Sequence, residues 1–355
     1  MNILVIILIS FMYSNVDHLT NWECDSGINH HRIYNTPQVQ SRQLDKAVIR
    51  AKIWEIHRED GLFEMPENTI EEGFQKLVDA YKQYGIFVSL YNTEIIYSDS
   101  LYYFAENGRP FELMQNHSED KFMNFFYLPN IDYTEGDFTG YGQAFNTPGN
   151  EFFVAGNECK YVAGNLECYD LASTFIPIHE LGHCFGLLHT HRSIGEEHVI
   201  REGEDDESCE VNCYDTGDFL CDTEATNSIR DDVLFDGLDC SYDLVENDEC
   251  GYIYTPQIDN FMSYTHFECA NSFTQNQIDR MFDRIENYNI VSDTIIDIGD
   301  LDNNSEINIF DILILINIIL SDQAIDDLYL WLSDLNYDNI IDIIDVVQLI
   351  DLILD

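Results

Sequence analysis

Positive charge is what this chain has least of. Its 355 residues carry 16 Lys and Arg against 66 Asp and Glu, a formal net charge of −50. Such a surface repels polyphosphate backbones and anionic bilayers, which argues against nucleic acid and membrane surfaces as partners and suits divalent cations or basic substrates. A solvated surface adapted to salty surroundings accounts for the excess equally well. The chain also lacks a hydrophobic run long enough to span a bilayer: the apolar stretch from Met1 to Ser14 is too short. It has the length of a secretory signal peptide, although it lacks the Lys or Arg of an ordinary n-region. Disorder is excluded by an apolar content of 45%. The length suggests about two domains. Cysteine is not scarce. All but Cys24 of the ten lie between Cys159 and Cys269, in loop-like sequence that points to an exported, extracellular protein.

The most informative stretch is His179-Glu180-Leu181-Gly182-His183-Cys184-Phe185-Gly186-Leu187-Leu188-His189. His179 and His183 are four residues apart, so on a helix they share a face and reach one metal ion. Gly186 lets the chain leave the helix, because glycine accepts backbone angles that other residues resist. That turn returns His189 as a third nitrogen ligand. Three protein ligands leave one position open, the mark of a catalytic rather than a structural zinc site. Glu180 stands beside the metal, placed to take a proton from water. The string is that of metzincin proteases, which also need a Met-turn downstream.

Around this motif the pattern is regular. Val48 to Ile56 alternates as a strand, Ile70 to Tyr84 is a helix begun near Pro66-Glu67-Asn68-Thr69, and Ile86 to Tyr91 and Phe122 to Leu128 are buried strands. Gly140 to Gly156, with Phe152-Phe153-Val154, reads as an edge strand lining a cleft. Ser173 or Thr174 offers an N-cap for the metal helix. A helix from Phe273-Thr274 to about Tyr288 buries Ile278, Met281, Phe282 and Ile285. The expected fold class is therefore α/β (α+β), a twisted sheet with the zinc helix packed beneath it. Residues 15–46 lack periodicity and fit a short propeptide. Cys24 within it is either a thiolate that holds the zinc site latent, or a disulfide partner or idle thiol.

With Asn260-Phe261-Met262-Ser263-Tyr264 added, the chain resembles the pappalysin (cytophagalysin) group of metzincins. Thr190 after the last histidine, Cys221-Asp222-Thr223, Cys269 and Ser272-Phe273-Thr274 with Gln277 and Arg280-Met281 complete the likeness, from about Ala47 to Tyr288. The resemblance implies zinc on His179, His183 and His189, with Glu180 as general base. It further implies Met262 as the apolar floor and Tyr264 as an oxyanion donor. It pairs Cys209 or Cys213 with Cys250, and Cys240 with Cys269; Cys159 and Cys168 are spaced to close a small loop, and Cys184 reads as a buried free thiol. Glu268, just before Cys269, is implied in the S1′ pocket with a preference for Arg or Lys at P1′, against the alternative of an ordinary exposed loop residue.

Beyond Arg284 there is no Lys or Arg, and two loops recur 34 residues apart. The first presents Asp300, Asp302, Asn304, Asn308 and Asp311, and the second Asp334, Asn336, Asp338, Asp342 and Asp345, at positions 1, 3, 5, 9 and 12. Glu306 and Ile340 stand at the seventh position. Oxygen ligands at this spacing encircle calcium. Each loop precedes an Ile/Leu-rich helix. The region from about Ser292 to Asp355 resembles a type I dockerin, which implies a small all-α calcium-dependent module and a cohesin-like or other protein partner. It departs at the sixth position, Ser305 and Asn339 in place of glycine. It departs again at Ile309-Phe310 and Ile343-Ile344, where dockerins carry small hydroxylated residues.

The expected organisation is a signal peptide over 1–14, a propeptide over 15–46, a protease domain over 47–290 and the dockerin-like module over 292–355. The expected protein is a secreted zinc endopeptidase acting on proteins or peptides, with Zn2+ and Ca2+ as cofactors. The rival is an anchoring or assembly protein whose protease domain is inactive, and the intact His179, Glu180, His183, His189 and Tyr264 favour the enzyme.

Overall fold

The computed structural model describes residues 46–62, 65–66, 68–102, 116–128, 142–162, 165–191, 196–201, 209–229, 233–235, 239–321 and 327–354. The expected signal segment, the propeptide and Cys24 lie outside the described residues.

Five strands form one sheet: β1 (Ala47–His57), β2 (Ile86–Tyr97), β3 (Met123–Leu128), β4 (Gly142–Ala144) and β5 (Glu151–Ala155). Their order is β2-β1-β3-β5-β4, parallel except for β4, which runs antiparallel to β5. A parallel sheet is covered on both faces, so its strands read as continuous apolar runs. This corrects one expectation. Phe152-Phe153-Val154 lies inside the sheet, fully buried between β3 and β4, and the short β4 is the edge. Consecutive aromatic residues were the sign of burial on both faces, which an edge strand does not have.

Alternation sorts the side chains into two layers. Ile49, Ala51, Ile53, Phe125 and Phe152 join the core shared with helix α1 (Thr69–Lys82) and helix α2 (Ile176–Cys184), which carries the first two histidines. Tyr81 of α1 donates its hydroxyl to the Ile178 carbonyl at 2.8 Å, tying the two helices together. Trp54, Ile56, Phe126 and Phe153 point to the opposite face. Helix α3 (Gln275–Asn287) starts at Thr274, whose capping box with Gln277 satisfies its first turn. Its predicted stripe of Ile278, Met281, Phe282 and Ile285 is buried in the α1–α2 core. A hairpin of β6 (Asn157–Val162) and β7 (Asn165–Asp170) sets Cys159 opposite Cys168 in its ladder.

After α3 the chain returns to the sheet. Arg50 N donates to the Thr294 carbonyl and Ile296 N to the Val48 carbonyl, both at 2.8 Å, beside the part of β1 that β3 does not reach. Three helices follow: α4 (Ile309–Leu320), α5 (Asp327–Ser333) and α6 (Ile343–Leu354). Leu315, Leu332, Val346 and Leu349 pack with Val48 and Phe87 of the sheet, on the side away from α2. The loops before α4 and α6 share one backbone trait. Their fourth and sixth residues, Asn303 and Ser305, then Tyr337 and Asn339, all have φ between 60° and 70°. Asn tolerates this left-handed region better than Ser or Tyr.

Candidate active site

Helix α2 begins with Pro177 in its first turn, where no amide bond is lost, and Thr174 Oγ1 accepts from Ile176 N at 3.2 Å. This corrects the expected N-cap: the cap position is Phe175, whose side chain caps nothing, and Thr174 serves from one residue before it. Gly186 turns the chain at φ 85°, and a Cβ there would lie 2.7 Å from Arg284 Cγ. Only glycine meets both demands, and the turn delivers His189.

The three Nε2 atoms converge. His179 to His183 is 3.1 Å, His183 to His189 is 3.0 Å and His189 to His179 is 3.2 Å. Neutral imidazoles so placed share what lies between them, and all three are buried. Zinc–nitrogen bonds of about 2.0–2.1 Å in a tetrahedral set place nitrogens about 3.4 Å apart, close to this spacing. The Nδ1 of His179 pairs with the Phe261 carbonyl at 2.6 Å, and that of His183 with the Leu187 carbonyl at 2.8 Å. A carbonyl can only accept, so both Nδ1 atoms carry the proton and both Nε2 lone pairs face inward. Burial pushes His179 down to about 4, against the opposing effect of the Phe261 carbonyl, and it stays neutral at working pH. The donor set fits zinc.

The Met-turn holds this arrangement from below. Gln277 and Asn260 exchange amide bonds at 2.9 and 3.2 Å, and Asn260 Oδ1 accepts from Met262 N at 2.8 Å. Met262 is fully buried, and a Cβ on Gly182 would come within 2.7 Å of its sulfur. Helix and turn therefore touch with no room for a side chain. Asp222 accepts from Thr274 Oγ1 at 3.0 Å and from Asn276 N at 2.7 Å, so the Asp-Thr element ties down the start of α3. Nearby, Glu197 is pushed up to about 8 by burial first and by Asp218 second, and burial likewise raises Asp218 to about 6.

Glu180 is buried beside β4. A Cβ on Gly142 would lie 2.8 Å from Glu180 Oε1, so the absence of a side chain there lets the edge strand approach the carboxylate. The half-buried Tyr264 ring lies 4.6 Å from the His189 ring and 6.2 Å from that of His179. His191, which the sequence reading passed over, stacks on His189 at 5.1 Å and 6° and lies 4.3 Å from Tyr264. Its only local signal was its place two residues after the last ligand. Glu268 is exposed on the loop after the Met-turn, its backbone N–H directed at His266.

Cysteines agree with the resemblance where the structure describes them. Cys209 is bonded to Cys250 and Cys240 to Cys269, while Cys213 pairs with Cys221, which leaves Cys209 as the partner of Cys250. Cys184 is a buried free thiol, its pKa raised by burial.

In the acidic loops Asp300, Asp302 and Asp311 bring carboxylate oxygens within 4.8 Å of one another. Asp311 also accepts from Leu301 N at 2.7 Å and Asn308 N at 2.8 Å, and Asp345 accepts likewise from Leu335 N and Asp342 N at 2.9 and 2.8 Å. Asn304 Oδ1 accepts from Glu306 N and Asp338 Oδ1 from Ile340 N, both at 2.8 Å. Asn336 Oδ1 accepts from Asp338 N at 2.9 Å, and Asn308 and Asp342 accept from the first turn of the helices that follow. The apolar pairs Ile309-Phe310 and Ile343-Ile344 are exposed. Among the described residues no helix is long and apolar enough to cross a membrane.

Residues 113–286 match the peptidase M43 family, described as pregnancy-associated plasma protein-A. A stretch of 116 residues is 33% identical to pappalysin-1 of Homo sapiens, and the same holds for that of Mus musculus. Each match takes in 30% of this chain and 6% of the relative's length. The chain is also similar to the mature mirolysin of Tannerella forsythia in complex with a cleaved peptide. That likeness is 14% identical with a TM-score of 0.45 over 71% of this chain and 97% of that one. Similarity to metalloproteinase-II from Bacteroides fragilis is 16% identical with a TM-score of 0.23, over 45% and 51% of the two chains. The segment that holds the three histidines, the Met-turn and nearly all of α3 thus resembles the peptidase M43, or pappalysin, family.

Proposed function

We propose that this chain is a secreted zinc endopeptidase of metzincin type that hydrolyses peptide bonds in proteins. The convergence of three inward-facing Nε2 atoms beside a buried carboxylate carries the reading. His179, His183 and His189 would hold a zinc ion, which when bound would supply Lewis acidity and make water a better acid near neutral pH. Glu180 takes the proton of the attacking water and delivers it to the leaving amine. Tyr264 donates its hydroxyl to the oxyanion as charge develops on the substrate carbonyl. Glu268, exposed close to Cys269, favours Arg or Lys at P1′ through its charge. A cleavage profile over a peptide library with apolar residues at that position would remove this assignment.

The C-terminal loops bind calcium in a dockerin-like module, on the strength of their repeated oxygen spacing and shared left-handed turns. The exposed Ile309-Phe310 and Ile343-Ile344 make an apolar rather than a hydroxyl-lined partner surface there. The test of the protease reading is casein cleavage. A chelator should abolish it and stoichiometric zinc should restore it. Cleavage unaffected by removal of the metal would contradict the proposal.

A further inference from the structure

The two acidic loops have the same backbone form but different neighbours. Asp300 is almost wholly buried, together with Arg50 of β1. Arg50 Nη2 donates to Asp300 Oδ2 at 2.7 Å, and Nε donates to Asn303 Oδ1 at 2.6 Å and to the Asn303 carbonyl at 3.2 Å. Asn303 Nδ2 in turn donates to Ser89 Oγ of β2 at 3.3 Å. Ser305 N and Asn304 N complete the Asp300 carboxylate at 2.9 and 3.0 Å. The second loop repeats only this last feature. Asp334 accepts from Asn339 N at 2.9 Å and Asp338 N at 3.1 Å, it is half-buried, and among the described residues no Lys or Arg reaches it.

Clustered carboxylates repel one another unless a cation lies among them, and a buried carboxylate demands a partner. An arginine fork binds a carboxylate and a carbonyl in fixed geometry, which a flexible ammonium does not. Among the described residues, the positive charge bonded to the first loop comes from the sheet, 250 residues earlier in the chain. We propose that Arg50 is the built-in cation of the first loop, so that this loop keeps its fold and its seat on the sheet without a divalent ion, whereas its twin at Asp334 requires one. The contrast with the twin rests on the calcium reading above; the role of Arg50 does not.

Hydrogen–deuterium exchange on the full chain, with calcium and with chelator, tests this. In the wild type the chelator should speed exchange over 334–345 by about tenfold or more and leave 300–311 within about twofold, a difference of a tenfold equilibrium constant. In Arg50→Gln the first loop should become as chelator-sensitive as the second. Equal response of both loops in the wild type, or an unchanged first loop in Arg50→Gln, overturns the proposal. If the chelator moves neither loop, the calcium reading fails, and faster exchange confined to 300–311 in Arg50→Gln still upholds the arginine. Should that variant not fold, Asn303→Gly removes one Arg50 acceptor at a position whose φ of 60° suits glycine. Tyr337→Gly is its twin without an arginine. Asn303→Gly must loosen its own loop more than Tyr337→Gly does; equal effects count against Arg50.

Discussion

The histidine centre and the acidic loops, proposed above as zinc and calcium sites, are built in opposite ways. In the centre, much of the orientation comes from afar: His183 is fixed by the nearby Leu187 carbonyl, but the carbonyl that fixes His179 belongs to Phe261, 82 residues on. Met262 and Gly182 meet with no space between them, and β4 approaches Glu180 only because residue 142 has no side chain. In the loops, orientation is local. Each first aspartate is held by backbone N–H groups four and five residues ahead, and each last one ties back to the loop's second residue. A site assembled by tertiary contacts is open to damage by remote substitutions, whereas a self-tied loop responds to its own sequence. Arg50 is the exception that makes the first loop partly a tertiary site.

The largest effect that sharpens this contrast should come from Tyr264→Phe. Loss of one oxyanion donor costs about 10²–10³ in kcat, with KM and zinc content unchanged. A kcat within a few-fold of wild type would take Tyr264 out of the chemistry. Gly142→Ala should follow, at about 10² in kcat, because its Cβ displaces the Glu180 carboxylate by a fraction of an ångström or more. Zinc binding and the unfolding midpoint should hardly move; a fully active Gly142→Ala enzyme would break the claim that the centre depends on distant supports. The smallest effect concerns pH. Glu197 and Asp218 titrate above their ordinary values, so the folded state keeps protons that the unfolded chain releases. Their contribution is therefore fully present below about 4.5 for Glu197 and about 3.8 for Asp218, and is lost as pH rises through about 8 and about 6 respectively. The thermal midpoint should fall across that window, and Glu197→Gln should flatten the slope. An identical slope in the variant would dismiss Glu197 as the source.

The legibility of the molecule follows the same division. The spacing of His179, His183 and His189 and the helix opening at Phe273-Thr274 are local patterns, and the structure brings the histidines together and starts the helix there. The interior place of β5 was misread because glycines on either side suggested an edge, while Phe152-Phe153 carried the true signal of two-sided burial. Gly142, His191 and Arg50 had no periodicity, cap or motif to announce them. Their roles exist only once strands distant in sequence lie side by side. Arg50 in particular reads as an ordinary charged residue of a strand until the chain returns to the sheet at Thr294.

The central claim is that three imidazoles hold a metal beside a carboxylate that moves the proton. Zinc content and protein cleavage measured together on Glu180→Gln test it most directly. The account predicts about one zinc per chain in variant and wild type alike, with cleavage lost only in the variant. A variant that cleaves as the wild type does, or a competent wild-type enzyme without bound metal, would contradict it.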